Sequence, residues 1–364
     1  MVLREAFHPG RTEGIETTTA VPITGLGTAL PQHRVGGAEL LSALADVWPN
    51  LGRRVRRLGE ELDRGSRYLV RSPSDFMHPV PLDEQRSRYI HEATDLAVGA
   101  ARAAMTASGV RAGDIALLVV SSCTGFVLPG VDVRLVERLG ISDDVRRLPL
   151  AHFGCAGGAA GLAHAAEWVR RTPGGSALVV AVEVPSITFR PGDRSTDNLL
   201  SAMVFGDGAA AAVLAPKPSA PGNLRIGRTQ SHLVPGTRAA LGFEVLSDGF
   251  RVIVSRRLPE LIEKHLAPLV DSFLQMPASE LDAVAVHPGG RAIVDAVSSC
   301  LQLSSHHVEW TRAVLAACGN TSSAALLFVL ADLAARPPAS RGRGLALAFG
   351  PGLTVEQLSL EWGC

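Results

Sequence analysis

Three glycine-flanked turns in this 364-residue chain carry side chains that can do chemistry together. Gly154-Cys155-Ala156-Gly157-Gly158 follows an apolar approach, Leu148 to Phe153, and precedes an Ala-rich run, which puts Cys155 at a strand-to-helix turn. Free amides and the positive end of a helix dipole favour thiolate over thiol there, and the glycines let a substrate approach the backbone closely. His287 ends the apolar run Leu281 to Val286 and is followed by Pro288-Gly289-Gly290, again a polar side chain at a strand end beside a helix start. Asn320 lies in Gly319-Asn320-Thr321-Ser322-Ser323 between two apolar helical segments. Taken singly, Cys155 also reads as a small core residue and Asn320 as a helix cap, a role Ser322 or Ser323 fills equally well. Taken together, a cysteine, a histidine and an asparagine at three such turns point to one shared site with Cys155 as its candidate nucleophile.

The elements that must position them alternate. Val21 to Gly27 reads as a first strand, and Ile115–Val120 and Ala177–Val182 are apolar, β-branched runs without alternation, the pattern of parallel strands covered on both faces. Helical stretches over 91–108 and 157–171 lie beside and between them, so the fold class is layered α/β. A Pro-, Lys- and Gly-rich loop, Ala215 to Gly222, places a boundary near residue 220. Beyond it the spacing predicts helices over 256–275, 291–301, 308–317 and 322–335, with strands over 281–286 and 344–348. Residues 1–20 are polar and aperiodic and read as a flexible arm, followed by an N-terminal half over 21–220 and a C-terminal half over 221–364.

Composition narrows the function classes. Lysine plus arginine and aspartate plus glutamate each number 35, so no global field favours nucleic acid or an anionic membrane. Five cysteines, Cys123, Cys155, Cys300, Cys318 and Cys364, form neither a disulfide framework nor a zinc spacing, and no metal is expected; a reducing cytoplasm fits them best. The amino terminus meets charge at once, and no uninterrupted apolar run reaches the length of a membrane span.

At this point the chain resembles the type III polyketide synthases, the chalcone synthase-like branch of the thiolase superfamily, over about Ile23 to Leu360. The resemblance rests on the three turns and on Phe205-Gly206-Asp207-Gly208-Ala209-Ala210-Ala211 and Phe349-Gly350-Pro351-Gly352-Leu353-Thr354, in the family's order. It implies a five-layered αβαβα fold of two related halves, a homodimer, and catalysis by Cys155, His287 and Asn320 with no cofactor beyond the coenzyme A of its substrates, malonyl-CoA and an acyl-CoA starter. It further implies that Phe205 stands between tunnel and cavity, with Phe243 as a second aromatic gate. Thr124, Leu128, Pro185, Thr188 and Ser322 fall on cavity-lining positions, and Cys123 replaces a threonine common in plant members. Glu183 corresponds to a carboxylate that serves ring closure in relatives, and Arg53, Arg54, Arg56, Arg57 and Arg67 lie where coenzyme A phosphates bind.

The expected reaction is iterative decarboxylative condensation on Cys155 followed by cyclisation to a pyrone or phenolic product. A fatty acyl starter giving an alkylpyrone or alkylresorcinol is the first expectation, and a hydroxylated naphthalene from malonyl-CoA alone the second. The alternatives are an enzyme of single condensation or acyl transfer, like ketoacyl-carrier-protein synthase III, and a non-catalytic dimeric scaffold.

Overall fold

The computed structural model describes residues 19–48, 65–78, 80–217, 224–246 and 249–363. Most of the expected N-terminal arm, the arginines Arg53, Arg54, Arg56 and Arg57, and the chain around residue 220 lie outside the described residues.

Two sheets meet at strand β1 (Val21–Ala29). A short hairpin follows it, β2 (His33–Gly36) with β3 (Ser66–Leu69). In the first sheet β4 (Ile115–Ser121) is parallel to both β5 (Arg146–Leu150) and β6 (Ser176–Glu183), and β6 is antiparallel to β7 (Gly208–Leu214), which pairs with β1. Strand β8 (Arg225–Leu233) touches β1 through Val21↔Ile226 and Pro22↔Arg225. A second hairpin, β9 (Leu241–Leu246) with β10 (Gly249–Val254), stands apart from the sheets. Strands β11 (Ala283–Val286), β12 (Gly342–Gly350) and β13 (Thr354–Trp362) complete the second sheet, giving the order β11-β12-β13-β8-β1-β7-β6-β4-β5.

Helices separate and cover the sheets. Besides α1 (Gly37–Val47), which packs on the first hairpin, α2 (Leu82–Ser108) and α3 (Val131–Leu139) cover the outer face of the first sheet against Leu118, Val120, Leu178 and Val180. Between the sheets runs α4 (Gly157–Arg171), while α5 (Thr196–Val204) lies near the end of the first sheet. The outer face of the second sheet carries α6 (Leu258–Leu274) and α7 (Arg291–Cys300) against Val284, Val286, Leu345 and Leu347. The central layer also holds α8 (Glu309–Cys318) and α9 (Ala325–Ala335). The order helix, sheet, helix, sheet, helix is the thiolase-like five-layered arrangement that the family resemblance implies.

The central helices explain the alanine-rich composition. A Cβ on Gly158 would fall 2.2 Å from the Ser323 carbonyl oxygen, and one on Gly161 3.0 Å from Val179 Cγ1. Only small side chains let α4 approach both α9 and the sheet, whereas α9 is apolar on every face over 325–330 because every residue there is buried. Helix α2 begins at Leu82, well before the expected residue 91, since Pro81 sets an extended entry and Asp83 and Glu84 complement the first-turn amides. The expected helix over 322–335 begins as a tight 3-10 turn, Ser322–Ala324, and this irregularity belongs to the site.

One buried carboxyl ties stability to pH. Glu356, on β13, is 2% exposed and accepts a 2.6 Å hydrogen bond from Ser231 Oγ. Burial outweighs that bond and pushes its pKa up to about 7. A folded pKa above the unfolded value means that the folded state binds the proton more tightly. This contribution is therefore complete below about pH 4.5 and is lost as pH rises to about 7, roughly 3 kcal/mol in all. Glu356→Gln, which cannot ionise, is expected to flatten this slope: denaturant unfolding at pH 5 and pH 8 should show the variant gaining on the wild type as pH rises.

Candidate active site

Each of the three polar turns ends at the central layer. After β5 the chain makes a 3-10 turn, Gly154–Ala156, that carries Cys155 to the start of α4; Gly154 has φ +51 and a Cβ there would lie 2.8 Å from Pro351. His287 follows β11, its amide donating to Leu347 O at 2.7 Å, and Gly290 turns the chain into α7 with φ +146. Asn320 follows α8 through Gly319, whose φ of +70 suits glycine, and it is bridged to Phe205 by Asn320 N donating to Val204 O (3.1 Å) and Gly206 N donating to Asn320 O (3.0 Å).

Hydrogen bonds connect these turns. Ser322 N donates to Asn320 Oδ1 at 2.9 Å, and Asn320 Nδ2 donates to Gly289 O, two residues past His287, at 3.3 Å. Ser322 holds φ +50, a strained conformation for a residue with a side chain, and its hydroxyl lies 3.5 Å from Cys155 Sγ and 3.7 Å from Cys123 Sγ. Cys155 and the two polar turns are thus joined through one serine.

Burial shifts both titrating groups toward their neutral forms. It pushes the Cys155 thiol up to about 11, against the smaller downward effect of the Ser322 hydroxyl, and the His287 imidazole down to about 4. Burial thus opposes the thiolate that the helix start favours, although Cys155 itself is only half-buried. His287 is 2% exposed, and its Nδ1 is buried without a hydrogen-bond partner among the described residues. Such an atom is free to bond a water or a substrate group.

A cavity of about 1030 Å³, open mouth included, lies in front of Cys155. Cys123, Thr124, Pro185, Thr188, Phe205, Phe243 and Ser322 line it, whereas His287 and Asn320 are buried and are not among its lining residues. Asp207, fully buried, fixes the turn after Phe205: it accepts from Val70 N (2.7 Å) and from the amide and hydroxyl of Ser186.

Three expected site residues lie elsewhere. Leu128 is 85% exposed and does not reach this cavity, because its loop turns outward from the end of β4. Arg67 is 3% exposed; β3 carries its stem beneath Gly206 and Gly319, so it backs the Asn320 turn instead of facing a phosphate at the surface. Glu183 is fully buried one layer behind the cavity, with its carboxylate taken by the amides of Cys123 and Thr124, by Thr124 Oγ1 at 2.8 Å and by Ser323 Oγ at 2.6 Å. It clamps the Cys123 loop to the Ser322 turn and has no oxygen turned to the cavity. Conversely, α5 and the β9–β10 hairpin supply walls that carried no motif, among them Ser201, Phe250 and Val252. The alternation over Gly249–Val254 is the one signal for them, and it is too short to distinguish a cavity wall from an ordinary hairpin.

Fold and site together define a thiolase-like condensing enzyme. The family model of chalcone and stilbene synthases matches the chain in both its parts, the N-terminal domain over residues 67–218 and the C-terminal domain over 225–362. The 1,3,6,8-tetrahydroxynaphthalene synthase of Streptomyces peucetius subsp. caesius is 34% identical over 351 residues, 93% of each chain. The phloroglucinol synthase of Pseudomonas fluorescens is 29% identical over 339 residues, 91% of this chain and 96% of that one. Among solved structures, the 1,3,6,8-tetrahydroxynaphthalene synthase of Streptomyces coelicolor A3(2) superposes with a TM-score of 0.88 at 29% identity, covering 95% of this chain and all of that one. PKS-I of the brown alga Ectocarpus siliculosus gives 0.87 at 28% identity, covering 96% and 100%. The chain belongs to the chalcone and stilbene synthase family: it is a type III polyketide synthase, an acyltransferase whose substrates are coenzyme A thioesters.

Proposed function

We propose that this enzyme loads an acyl group from an acyl-CoA starter onto Cys155, extends it repeatedly with malonyl-CoA and cyclises the product to a pyrone or phenol. The observation that carries the reading is the cysteine at the cavity wall, joined through Ser322 to the Asn320 and His287 turns. In loading, Cys155 Sγ forms a new thioester as the carbon–sulfur bond to coenzyme A breaks, and the thiol proton passes by way of His287 to the departing thiolate. In extension, malonyl-CoA loses carbon dioxide, and the enolate oxygen is held by the Asn320 amide and an imidazole N–H of His287, which a neutral ring still offers. The enolate carbon then displaces Cys155 from the acyl carbon, and the lengthened chain returns to the sulfur for the next round.

The cavity wall of Leu69, Phe189, Phe205, Leu241, Phe250 and Val252 supports an apolar starter. A second copy of the chain is the proposed partner, since Phe126 (73% exposed) and Leu128 stand out as large apolar side chains on one exposed loop. Incubation with malonyl-CoA, alone and with short, long and aromatic acyl-CoA starters, is expected to give cyclised products whose masses differ by two-carbon units. A single condensation product with every starter, or extension only when a carrier protein delivers the substrate, would favour an enzyme like ketoacyl-carrier-protein synthase III.

A further inference from the structure

The polar groups on the cavity wall are nearly all occupied within the protein. Thr124 Oγ1 donates to Glu183, Ser186 Oγ to Asp207 and Thr188 Oγ1 to Pro185 O, while Asp193 is paired with Arg190 and Arg251 with Glu244. Two atoms on α5 differ. Ser201 lines the cavity, and its hydroxyl has no hydrogen-bond partner among the described residues. Asn198, one turn earlier on the same helix face, also lines the cavity; its Nδ2 donates to Arg190 O and Asp193 O, both at 2.8 Å. Those two bonds fix the amide orientation and leave Oδ1 as its unengaged atom.

A half-buried serine with an idle hydroxyl is a poor choice for a helix wall, because alanine is the better helix former and loses no hydrogen bond there. An acceptor and a hydroxyl three residues apart, in a wall otherwise apolar or satisfied, match a ligand that brings its own O–H and a second oxygen lone pair.

We infer that Ser201 and Asn198 are specificity-determining residues that take a hydroxyl or enol oxygen of the acyl chain housed in the cavity. The inference rests on the proposed iterative extension. The enol tautomer of the growing poly-β-keto chain and a hydroxylated starter carry the same chemistry. Held at this point, a polyketide chain keeps its oxygens away from the Cys155 thioester and is protected from early lactonisation.

Ser201→Ala tests this without threatening the fold, since the hydroxyl bonds to nothing among the described residues. Wild type, Ser201→Ala and Ser201→Thr would be compared with malonyl-CoA and with hexanoyl-CoA or its 6-hydroxy analogue, reading kcat/KM for each starter and the distribution of product lengths. If the starter hydroxyl is the ligand, the wild type favours the hydroxylated starter and Ser201→Ala lowers that preference about tenfold, the scale of one neutral hydrogen bond in an apolar wall. If the chain's own enol oxygen is the ligand, the starters rank alike, and Ser201→Ala raises the ratio of short, prematurely released products to full-length product about tenfold. Ser201→Thr, which keeps the hydroxyl, restores the wild-type pattern in either case. An unchanged preference together with an unchanged product distribution in Ser201→Ala overturns the inference while leaving iterative extension standing; a wild type that makes no multiply extended product overturns both.

Discussion

Cys155→Ala is expected to abolish acyl loading and chain extension, lowering product formation by roughly four or more orders of magnitude, while slow conversion of malonyl-CoA to acetyl-CoA persists. The two outcomes separate because the proposed steps use different atoms. Loading and extension both pass through a thioester on this sulfur, and none of the other described cysteines can replace it. Cys300 and Cys318 do not line the cavity, and Cys123, which does, holds its thiol 3.4 Å from Glu183 Oε1, where burial first and the neighbouring carboxylate second oppose a thiolate. Decarboxylation needs only donors at the enolate oxygen, and alanine leaves the His287 and Asn320 turns in place, since the bonds that set Asn320 run to Gly289 and Ser322. Intact-protein mass spectrometry after incubation with an acyl-CoA would report loading, and chromatography of the coenzyme A esters would report decarboxylation. Continued extension by the variant would show that Cys123 or another group carries the chain. Loss of decarboxylation along with loading would show that Cys155 also organises the donors.

The sequence made the chemistry legible wherever a backbone turn demanded particular residues. Gly154, Gly290 and Gly319 adopt positive φ beside Cys155, His287 and Asn320, so conformational need and chemical function coincide in a few adjacent positions that pattern reading can find. The layered fold was legible for a similar reason: strands covered on both faces lack alternation, and α4 and α9 between two sheets must be small or wholly apolar. Quantities that depend on depth were not legible. Arg67 is one position in a short strand, and nothing nearby in sequence tells that Gly206 and Gly319 close over it. Glu183 was expected to hold a donor network for ring closure or to be a hydrogen-bonded strand-end carboxylate; its partners in space, Thr124 and Ser323, are 59 and 140 residues away. Burial also opposes the Cys155 thiolate, and a helix start is visible in sequence whereas burial is not. Ser201 and Asn198 lie on a helix without a motif, and the lack of partners for two of their oxygens among the described residues exists only once the walls are assembled.

Asn320→Asp should divide the reaction differently from Cys155→Ala, with decarboxylation of malonyl-CoA falling at least 100- to 1000-fold and acylation of Cys155 changing far less. The substitution is nearly isosteric and keeps an oxygen to accept the 2.9 Å bond from Ser322 N, so the Ser322 turn beside Cys155 is retained. What it removes is Nδ2, the donor near Gly289 O, and in its place it puts a second acceptor facing that carbonyl. Loss of one preorganised donor to an oxyanion costs about 2.7–4 kcal/mol. A buried carboxylate adds repulsion toward the enolate, and if it escapes that by taking up a proton, it offers a donor whose proton can face either of two oxygens. Loading develops its charge on the acyl carbonyl beside Cys155, where the Asn320 side chain makes no direct bond to the sulfur. Single-turnover loading by intact mass, compared with acetyl-CoA formation in the same preparation, reads the two steps apart. Equal losses in both would contradict this division of labour between Asn320 and Cys155, and the oxyanion role would then pass to His287, whose buried Nδ1 has no partner among the described residues.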